Sequence, residues 1–416
     1  MLDGISADLE WEMSQRIALL TGGGDRPYAL GMAIALSSAG RTLDFIGSDE
    51  LESPELLNDP RIVFLNLRGD QRSDVAAPRK LLRVVIYYVR LISYALTAEP
   101  RIFHILWNNK FQFFDRTLLM LYYKLLGKKI AFTVHNVNAG ERDCNDTRLN
   151  RVSLKAQYHL ADHIFVHTEK MKTELTRGFS VPSEKVSVIP FGINNTVPNT
   201  NLSTAAAKDR VGVKPADKTM LFFGNIAPYK GLDSLVAAFI QLAKGDPFYQ
   251  LLIVGRPKQD RGYWEQIEKV IEESEFRDRI KRRIEFVPDG ETELYFKAAD
   301  VLILPYSHVF QSGVLFLGYS FGLPAIVTDV GSLREEIIEG ETGFLAASAA
   351  PDQLSPAIER YFGSELYRNL DQRRAVVKEY ANDRYSWSKV AAMTTKVYWN
   401  LLGGPHAAAT KQQSCC

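Results

Sequence analysis

Two loops in the second half of the chain carry residues suited to binding a phosphate group. In residues 223–231 a predicted strand ends in glycine, and Lys230 follows shortly before a helix. Its ammonium group can act as a point charge on a diphosphate, although a solvated lysine at a helix start is the alternative interpretation. In residues 301–315 a predicted buried strand leads into Ser312 and Gly313 at the start of an apolar helix. Free N–H groups and the helix dipole favour an anion at such a helix start.

A third loop, in the first half of the chain, is suited to hydrogen-bonding hydroxyl or phosphate oxygens. His135, Asn136 and Asn138 directly follow the predicted strand at residues 129–134. An imidazole and two carboxamides together offer both donors and acceptors. A single histidine in this position would be only suggestive, and the neighbouring Asn136 favours a functional interpretation over a structural one.

A glycine turn follows the first predicted strand, and Gly23, Gly24 and Arg26 are its candidate functional residues. Without side chains, its backbone N–H groups could approach an anion at the start of the next helix. The alternative is a tight turn that needs positive φ. The turn has neither the G-x-G-x-x-G pattern of dinucleotide sites nor the phosphate-loop pattern that ends in Gly-Lys-Ser/Thr.

Short apolar runs alternate with helical periodicity along the whole chain, which predicts an α/β fold with parallel sheets. The predicted strands are residues 16–20, 44–46, 62–66, 102–106, 129–134, 163–167, 220–223, 250–254, 284–287, 301–304 and 325–328. Ligands of such sheets bind beyond the carboxyl ends of the strands. The four loops above all lie at such ends.

The length of 416 residues predicts two domains, because single hydrophobic cores rarely grow beyond about 250 residues. Residues 193–217 include a run rich in Asn, Thr and Pro, and we interpret them as a linker between an N-terminal domain at 1–192 and a C-terminal domain at 218–387. The helical pattern at 388–403 has one apolar face that must pack on another element. Residues 404–416 are small and polar and are expected to form a flexible tail.

The composition excludes several classes of protein. With 50 Lys and Arg against 49 Asp and Glu, the formal charge of +1 gives no general attraction to nucleic acid. Three cysteines are too few for a disulfide framework or a thiolate metal site, and we find no Asp-x-Asp metal motif. The acidic start of the chain is unlike a secretory signal, so a cytoplasmic location is expected.

Residues 81–96 form an apolar helical stretch that is interrupted by Arg83 and Arg90. The stretch is shorter than the roughly 20 residues that a membrane-spanning helix needs. Because basic residues flank it, it could lie on a membrane surface. The alternative is a helix packed on the sheet.

The second half of the chain resembles the retaining glycosyltransferases of family 4, which have the GT-B fold. The resemblance rests on residues 224–231, on 299–305, on Gly322-Leu323-Pro324, on 328–335 and on 340–344. It extends backwards through 161–168 and 188–193 and so covers nearly the whole chain. It implies two facing Rossmann-like domains with a central cleft, and a final helix that crosses back to the first domain.

The resemblance also implies a function: transfer of a sugar from a nucleotide diphosphate sugar to a glycan or lipid-linked acceptor, with retention of configuration and without a metal or other cofactor. A role in envelope or exopolysaccharide synthesis and contact with the cytoplasmic membrane face are expected. Under this resemblance the candidate catalytic residues are His135, Lys230 and Gln311. The diphosphate-binding residues are Gly224, Asn225, Lys230, Ser312, Gly313 and Val314, the nucleotide-binding residues are Arg256, Val287 and Glu335, and the acceptor-side residues are Asn136, Asn138 and Arg142.

Two positions differ from the common pattern of this family. Its usual arginine after the glycine of the loop at 223–231 is replaced by Asn225 or Ala227, and Arg256 or Arg26 could supply the missing charge. Its paired glutamates fall at Val309 and Leu317, or one position later. An alternative function is therefore a catalytically impaired nucleotide-sugar-binding partner subunit or sensor. A phosphorylase of the same fold would need a cofactor lysine that the sequence does not show.

Overall fold

The computed structural model describes residues 16–72, 76–142, 146–193, 195, 197–257, 261–309 and 311–403. The chain divides into one unit formed by residues 1–192 and 385–416 and a second formed by residues 193–384. The predicted tail at 404–416 lies outside the described residues.

The first unit is built on a parallel sheet, whose order within the described residues is β3-β2-β1-β4-β5-β6-β7. Its strands are β1 (Arg16–Leu20), β2 (Thr42–Gly47), β3 (Ile62–Asn66), β4 (Ile102–Ile105), β5 (Lys129–Thr133), β6 (His163–Val166) and β7 (Val186–Val188). The central strands are mostly apolar because helices cover both faces of the sheet. All four residues of β4, for example, are buried.

The helices of the first unit before residue 193 are α1 (Arg26–Ser38), α2 (Pro54–Leu57), α3 (Ala77–Thr97), α4 (Gln112–Phe114), α5 (Met120–Leu125), α6 (Ala139–Arg142), α7 (Arg148–Leu160) and α8 (Glu169–Gly178). A π-helical turn at Asp115–Leu119 joins α4 to α5. Helix α1 begins where the Asp25 side chain accepts a hydrogen bond from the N–H of Tyr28. None of the described helices is long and apolar enough to span a membrane.

The second unit contains a parallel sheet of order β10-β9-β8-β11-β12-β13. Its strands are β8 (Lys218–Phe223), β9 (Tyr249–Val254), β10 (Ile280–Arg283), β11 (Val301–Leu304), β12 (Ala325–Thr328) and β13 (Gly343–Ala346). Its helices are α9 (Thr204–Arg210), α10 (Leu232–Gly245), α11 (Arg261–Glu273), α12 (Asp289–Ala298), α13 (Gly313–Ser320), α14 (Pro351–Phe362), α15 (Glu365–Arg368) and α16 (Leu370–Arg384). Two parallel sheets covered by helices confirm the predicted α/β class.

The final helix, α17 (Trp387–Leu402), packs on the first unit. The indole of Trp387 lies against Gly31 and Gly192, where an added Cβ would come within 2.2 and 2.3 Å of it. Further along α17, Tyr398 OH lies 2.5 Å from Nδ1 of the buried His104, whose Nε2 is 2.7 Å from the Thr133 hydroxyl. A hydrogen-bonded core histidine therefore ties the helix to β4 and β5.

Residues 193–217, interpreted above as a linker, belong instead to the second unit. Ser203 caps helix α9, since its side chain accepts a hydrogen bond from the N–H of Ala206. The ammonium group of Lys208 is buried and lies 2.8 Å from Oδ2 of Asp300. The turn-forming residues before 203 concealed this helix, and a distant carboxylate stabilises it.

The predicted strand at 284–287 is wrong, because the structure places β10 at Ile280–Arg283. The strand lies at the edge of the sheet, and its positions alternate between buried Ile280 and charged residues that reach solvent. Phe286, which suggested a buried strand, is 63% exposed. The prediction also missed β7 and β13, which are only three and four residues long.

The buried His104 makes the stability of the first unit depend on pH. Burial lowers the pKa of His104 to about 3, so the folded protein holds the ring neutral while an unfolded chain protonates it below pH 6.5. Stability is therefore lost as pH falls below 6.5, by about 3 kcal/mol at pH 4 through this residue. Urea unfolding at pH 7 and pH 4 should show a clearly smaller loss in His104→Gln than in the wild type. Equal losses in the two proteins would contradict this.

Candidate functional site

Lys230 is positioned by a tight turn at the carboxyl end of β8. The strand is followed by a 3-10 turn at Pro228–Lys230, and Gly231 then adopts φ +65° at the start of α10. An added Cβ on Gly231 would lie 2.0 Å from the carbonyl oxygen of Pro305. Glycine is therefore required here, and the close approach brings Lys230 beside the loop that follows β11.

The side chain of Lys230 is buried without a carboxylate partner among the described residues. Its Nζ lies 5.5 Å from the ring centroid of Tyr306. An added Cβ on Gly224 would be 3.2 Å from that Nζ and 3.4 Å from the Cγ2 of Val314. Burial lowers the pKa of Lys230, since a desolvated ammonium group without a counter-ion is unfavourable. The structure thus brings Lys230, Gly224 and Val314 together.

The start of helix α13 lies beside this lysine. Ser312 is its buried N-cap residue, and its hydroxyl is 3.3 Å from the hydroxyl of Tyr306, whose ring contacts Lys230. A Cβ added to Gly313 would meet no described atom within 4 Å, so the helix start faces open space. The N–H groups of Gly313 and Val314, the first two residues of the helix, have no partner within it. They and the lysine form one electropositive site.

Gln311 immediately precedes this helix, and both polar atoms of its carboxamide are buried without a hydrogen-bond partner among the described residues. Leaving a buried amide unpaired costs on the order of 1–3 kcal/mol. Such a group is therefore a candidate for contact with a ligand, as the sequence predicts.

Of the remaining predicted donor residues, Arg256 and Asn225 lie in adjoining exposed loops, because the N–H of Ile226 donates to the carbonyl of Arg256 at 2.8 Å. The guanidinium of Arg256 lies over the Phe286 ring, 5.5 Å from its centroid.

Val287 is buried, whereas the side chain of Glu335 is exposed in the 3-10 turn at Leu333–Glu336. The loops of Gly224 and Gly255 touch, and an added Cβ on Gly255 would lie 1.8 Å from the Gly224 carbonyl oxygen. Gly255 is a residue that the sequence analysis missed.

In the first unit, His135 lies in an aromatic cluster at the carboxyl ends of the strands. Its ring stacks on Trp107 at a centroid distance of 4.1 Å and an angle of 6°, and Tyr28 meets it edge-on at 4.7 Å. Its Nδ1 is 3.1 Å from Nε2 of His167, whose Nδ1 lies 3.3 Å from the carbonyl oxygen of Ile189. The sequence analysis missed Trp107 and His167 as site residues, although Trp107 directly follows one predicted strand and His167 ends another.

Both histidines are held neutral. Burial, and then the neighbouring His167, lower the pKa of His135 well below its usual value. Burial also lowers the pKa of His167 to about 4. A neutral His135 can donate or accept a hydrogen bond from a polar ligand group, but it does not provide a permanent positive charge.

The glycine turn after β1 is structural. The N–H groups of Gly23 and Gly24 both donate to the carbonyl of Thr21, at 2.8 and 3.3 Å. An added Cβ on Gly24 would lie 1.8 Å from the indole of Trp107. Gly22 adopts φ +64°, as the tight-turn interpretation expects, and the turn allows Trp107 to stack on His135. Arg26 is exposed on the first turn of α1.

The three predicted acceptor-side residues differ in their surroundings. Asn136 is partly exposed beside His135, whereas Asn138 is buried and its Oδ1 accepts a hydrogen bond from Asn150 at 2.9 Å. The side chain of Arg142 lies outside the described residues. Within the described part of the chain, no three His, Cys, Asp or Glu side chains cluster as metal ligands would.

Two family descriptions match the chain in succession. Residues 22–196 match Glycosyltransferase Family 4, and residues 204–384 match Glycosyl transferases group 1. The chain belongs to the group 1 glycosyltransferases. The family predicted from the sequence is thereby confirmed.

Among curated proteins, this group 1 glycosyltransferase is similar to the D-inositol 3-phosphate glycosyltransferase of Corynebacterium glutamicum. The two are 26% identical over 278 residues, which cover 64% of this chain and 65% of the relative. The match thus spans just under two thirds of that relative's length.

Solved structures share the fold over almost the whole chain. Sucrose-phosphate synthase from Thermosynechococcus elongatus superposes with a TM-score of 0.73 at 20% identity, covering 93% of this chain and 99% of the other. Anabaena HepE in complex with UDP-glucose gives 0.70 at 14% identity, covering 92% and 99%. These likenesses confirm the GT-B fold.

The unpaired Gln311 carboxamide should limit the stability of the ligand-free protein. Replacing it by Met, of similar size, removes the unpaired polar atoms, so the free energy of unfolding should rise by about 1 kcal/mol. The matched control is Gln266→Met on the exposed surface of α11, which should change stability by less than about 0.5 kcal/mol. Urea denaturation measures both, and a marked loss of stability in Gln311→Met would show that the amide has a structural role.

Proposed function

We propose that this protein transfers a hexose from a nucleotide diphosphate sugar to a glycan or lipid-linked acceptor. The observation that carries the proposal is the buried ammonium group of Lys230, which lies beside the start of α13 and pairs with no carboxylate of the described residues. A buried charge is unfavourable unless it is paired, and the open space at Gly313 gives an anion access to this place. The diphosphate of the donor is an anion that can pair with both the ammonium group of Lys230 and the N–H groups at the start of α13.

The chemistry that these groups support is cleavage of the bond between the anomeric carbon and the diphosphate oxygen. As this bond breaks, its electron pair passes to the diphosphate, and the ammonium of Lys230 and the N–H groups of Gly313 and Val314 stabilise the growing charge. An acceptor hydroxyl oxygen bonds to the anomeric carbon, and its proton passes to the leaving phosphate oxygen. Attack from the face that the diphosphate leaves retains the configuration.

With Lys230 and a helix start supplying positive charge, we expect the reaction to proceed without a bound metal or other cofactor. In the first unit, we assign the neutral imidazole of His135 to a hydrogen bond with a sugar hydroxyl, and Asn136 to the acceptor side. Gln311 is assigned to the donor sugar. The exposed Arg256, in the loop that adjoins Asn225, is the candidate for the missing arginine charge.

The relatives support a nucleotide-sugar donor. HepE is seen with UDP-glucose, and the corynebacterial relative is named for transfer to inositol 3-phosphate. We further propose that this protein acts in envelope or exopolysaccharide synthesis on the cytoplasmic side of the membrane.

A second candidate function is a nucleotide-sugar-binding partner subunit or sensor. The resemblance places the glutamates common in this family at Val309 and Leu317, or one position later, and none of these residues is acidic. Such a protein would bind the donor without turning it over.

Lys230→Met should separate ligand-free stability from donor binding. Removing a buried unpaired charge should raise the melting temperature of the ligand-free protein. A donor at a hundredfold excess over Kd stabilises the wild type by about 2.7 kcal/mol, and this gain should be lost in the variant. Thermal unfolding against UDP, GDP, ADP and dTDP sugars measures both effects.

Lys244→Met is the matched control, because Lys244 is exposed at the end of α10. It should keep the stabilisation by the donor, and equal loss in both variants would overturn the assignment of Lys230.

A second experiment tests retention of configuration and metal independence together. With the active donor and an acceptor, the product is formed in the presence of a chelator and its anomeric configuration is determined by NMR. An inverted anomer would exclude retention, and loss of turnover that added Mg²⁺ restores would exclude metal independence.

We also propose that the first unit docks on an anionic bilayer. Helix α3 buries Tyr87, Tyr88, Leu91 and Ala95, whereas its opposite side exposes apolar residues. The exposed apolar side chains of α3 and of the packed segment at 111–125 are Leu81, Leu82, Val85, Ile86, Val89, Leu96, Phe111, Phe113, Leu118, Leu121 and Leu125. We call these eleven residues the apolar helix surface.

The two segments are in contact, since Tyr122 OH donates to the carbonyl of Ile92 at 3.0 Å and Tyr88 stacks on Phe111. Cations lie along the chain beside the apolar helix surface: Arg79, Lys80, Arg83, Arg90 and Lys110. Apolar residues beside basic ones fit an anionic lipid surface better than a neutral protein partner.

Leu82→Asp/Val89→Asp should abolish flotation of the protein with vesicles that contain phosphatidylglycerol. The two side chains are 58% and 61% exposed, so the change removes apolar area and adds negative charge without disturbing the core. Val376→Asp, at an exposed valine of α16, is the control and should float like the wild type. Failure of the wild type itself to float would refute the membrane proposal.

A further inference from the structure

A cationic cavity lies in the first unit, at the side of the sheet that carries the loops after β3 and β4. It has a volume of about 200 Å³. Its lining residues are Arg68, Gln71, Arg72, Lys80, Arg83, Val84, Tyr87, Asn109 and Lys110. Five of these side chains are cations and none is a carboxylate. We call this set of nine residues the cationic pocket.

The charge of the cationic pocket is only partly balanced by the described residues. Asp70 accepts a charge-assisted hydrogen bond from Arg72 at 2.8 Å, and its other near cation is Arg83 at 3.4 Å. No described carboxylate forms an ion pair with Arg68, Lys80 or Lys110. Several uncompensated cations around one cavity attract an anion and focus its approach.

Hydrogen bonds hold the walls of the pocket in place. Tyr87 OH donates to Oδ1 of Asn109 at 2.5 Å, and the amide of Asn109 in turn donates to Asp115 at 3.3 Å. Arg83 donates to the carbonyl oxygens of Asp70 and Arg72, at 2.8 and 3.0 Å. These bonds order the loop after β3 against helix α3 and hold the Arg83 side chain, so this wall of the pocket is preorganised for an anion.

The pocket adjoins the His135 cluster through the glycine turn. The guanidinium of Arg68 lies over the Tyr87 ring, 5.5 Å from its centroid. An added Cβ on Gly23 would come 2.6 Å from Nη1 of Arg68, so glycine permits this approach. The next residue, Gly24, lies against Trp107, on which His135 stacks. The part of a ligand that lies outside the pocket would therefore extend along the glycine turn toward His135.

We propose that the cationic pocket binds a phosphate group of the acceptor, so that the acceptor is a phosphorylated or diphosphate-linked molecule. The inference rests on the proposed function, since it assigns the acceptor to the first unit. Arg68 acts as a bidentate donor to the phosphate, while Lys80 and Lys110 add point charges. A water takes about 30 Å³ of liquid, so the cavity has room for a phosphate and the atoms that attach it.

The test uses inorganic pyrophosphate as the probe, titrated calorimetrically into the full chain. The titration is made in a Lys230→Met background, which removes the anion site of the second unit. Arg68→Gln/Lys110→Gln should weaken pyrophosphate binding by at least about tenfold, since a hydrogen bond to a charged group is worth about 1.5–3 kcal/mol. Arg90→Gln/Arg101→Gln removes the same charge at exposed positions outside the pocket and should bind the probe as its parent does.

Equal binding by the pocket and control variants would overturn the proposal, and so would an equal loss in both. If Arg68→Gln unfolds the protein, Lys80→Gln/Lys110→Gln replaces it, because both of these side chains are exposed. Thermal stabilisation by the donor should persist in the pocket variants made without Lys230→Met. Loss of donor binding in every protein would count against the proposed function, whereas the pyrophosphate titration alone decides the pocket.

Two competitors distinguish the sources of the phosphate. Displacement of pyrophosphate by glycerol 3-phosphate in solution would indicate a soluble acceptor. Displacement only by phosphatidylcholine vesicles that contain a polyisoprenyl phosphate would indicate a lipid-linked one, as expected from the apolar helix surface that begins beside Lys80. Displacement by neither would refute the assignment to an acceptor.

Discussion

Both parallel sheets are covered by helices, and this constraint leaves only the ends of the strands for polar chemistry. The buried strands β1, β4, β11 and β12 consist mostly of apolar residues, and the buried polar side chains within them, His104 and Thr328, bond to other groups of the core. Polar side chains therefore gather in the loops at the carboxyl ends, where helices begin and their N–H groups are exposed. Lys230, Ser312 and His135 all occupy such positions, in agreement with the general rule for open α/β sheets.

The buried basic side chains of the two units differ in charge. In the second unit, burial of Lys230 without a carboxylate keeps a positive charge where an anion can pair with it. In the first unit, burial suppresses the charge of His104, His135 and His167, and the pKa of each is lowered. One unit is thus prepared to stabilise negative charge, while the histidine cluster of the other offers directional hydrogen bonds. The cationic pocket adds to the first unit a charged site that its histidines cannot provide.

Glycine positions determine how closely these loops approach one another. Gly231 allows the turn that holds Lys230 to touch Pro305, and Gly255 touches the backbone of Gly224. Gly24 admits the indole of Trp107, and Gly23 admits the guanidinium of Arg68. The glycine turn after β1 looked like a direct anion site from the sequence. In the structure the N–H groups of Gly23 and Gly24 donate to the carbonyl of Thr21, and the missing side chains let larger groups approach.

The sequence by itself determined the fold class and the positions of most strands, and it predicted that Lys230, Ser312 and Gly313 belong to one phosphate site. These features depend on short-range patterns, namely apolar periodicity and the residue types that follow a strand. Only the tertiary structure decided that residues 203–217 pack in the second unit, that β10 lies at 280–283, and that Trp107 and His167 surround His135. It also brought Arg68, Lys80 and Lys110 to one cavity. Such contacts join residues far apart in the chain, and the order of the strands, which local patterns do not specify, determines which of them meet.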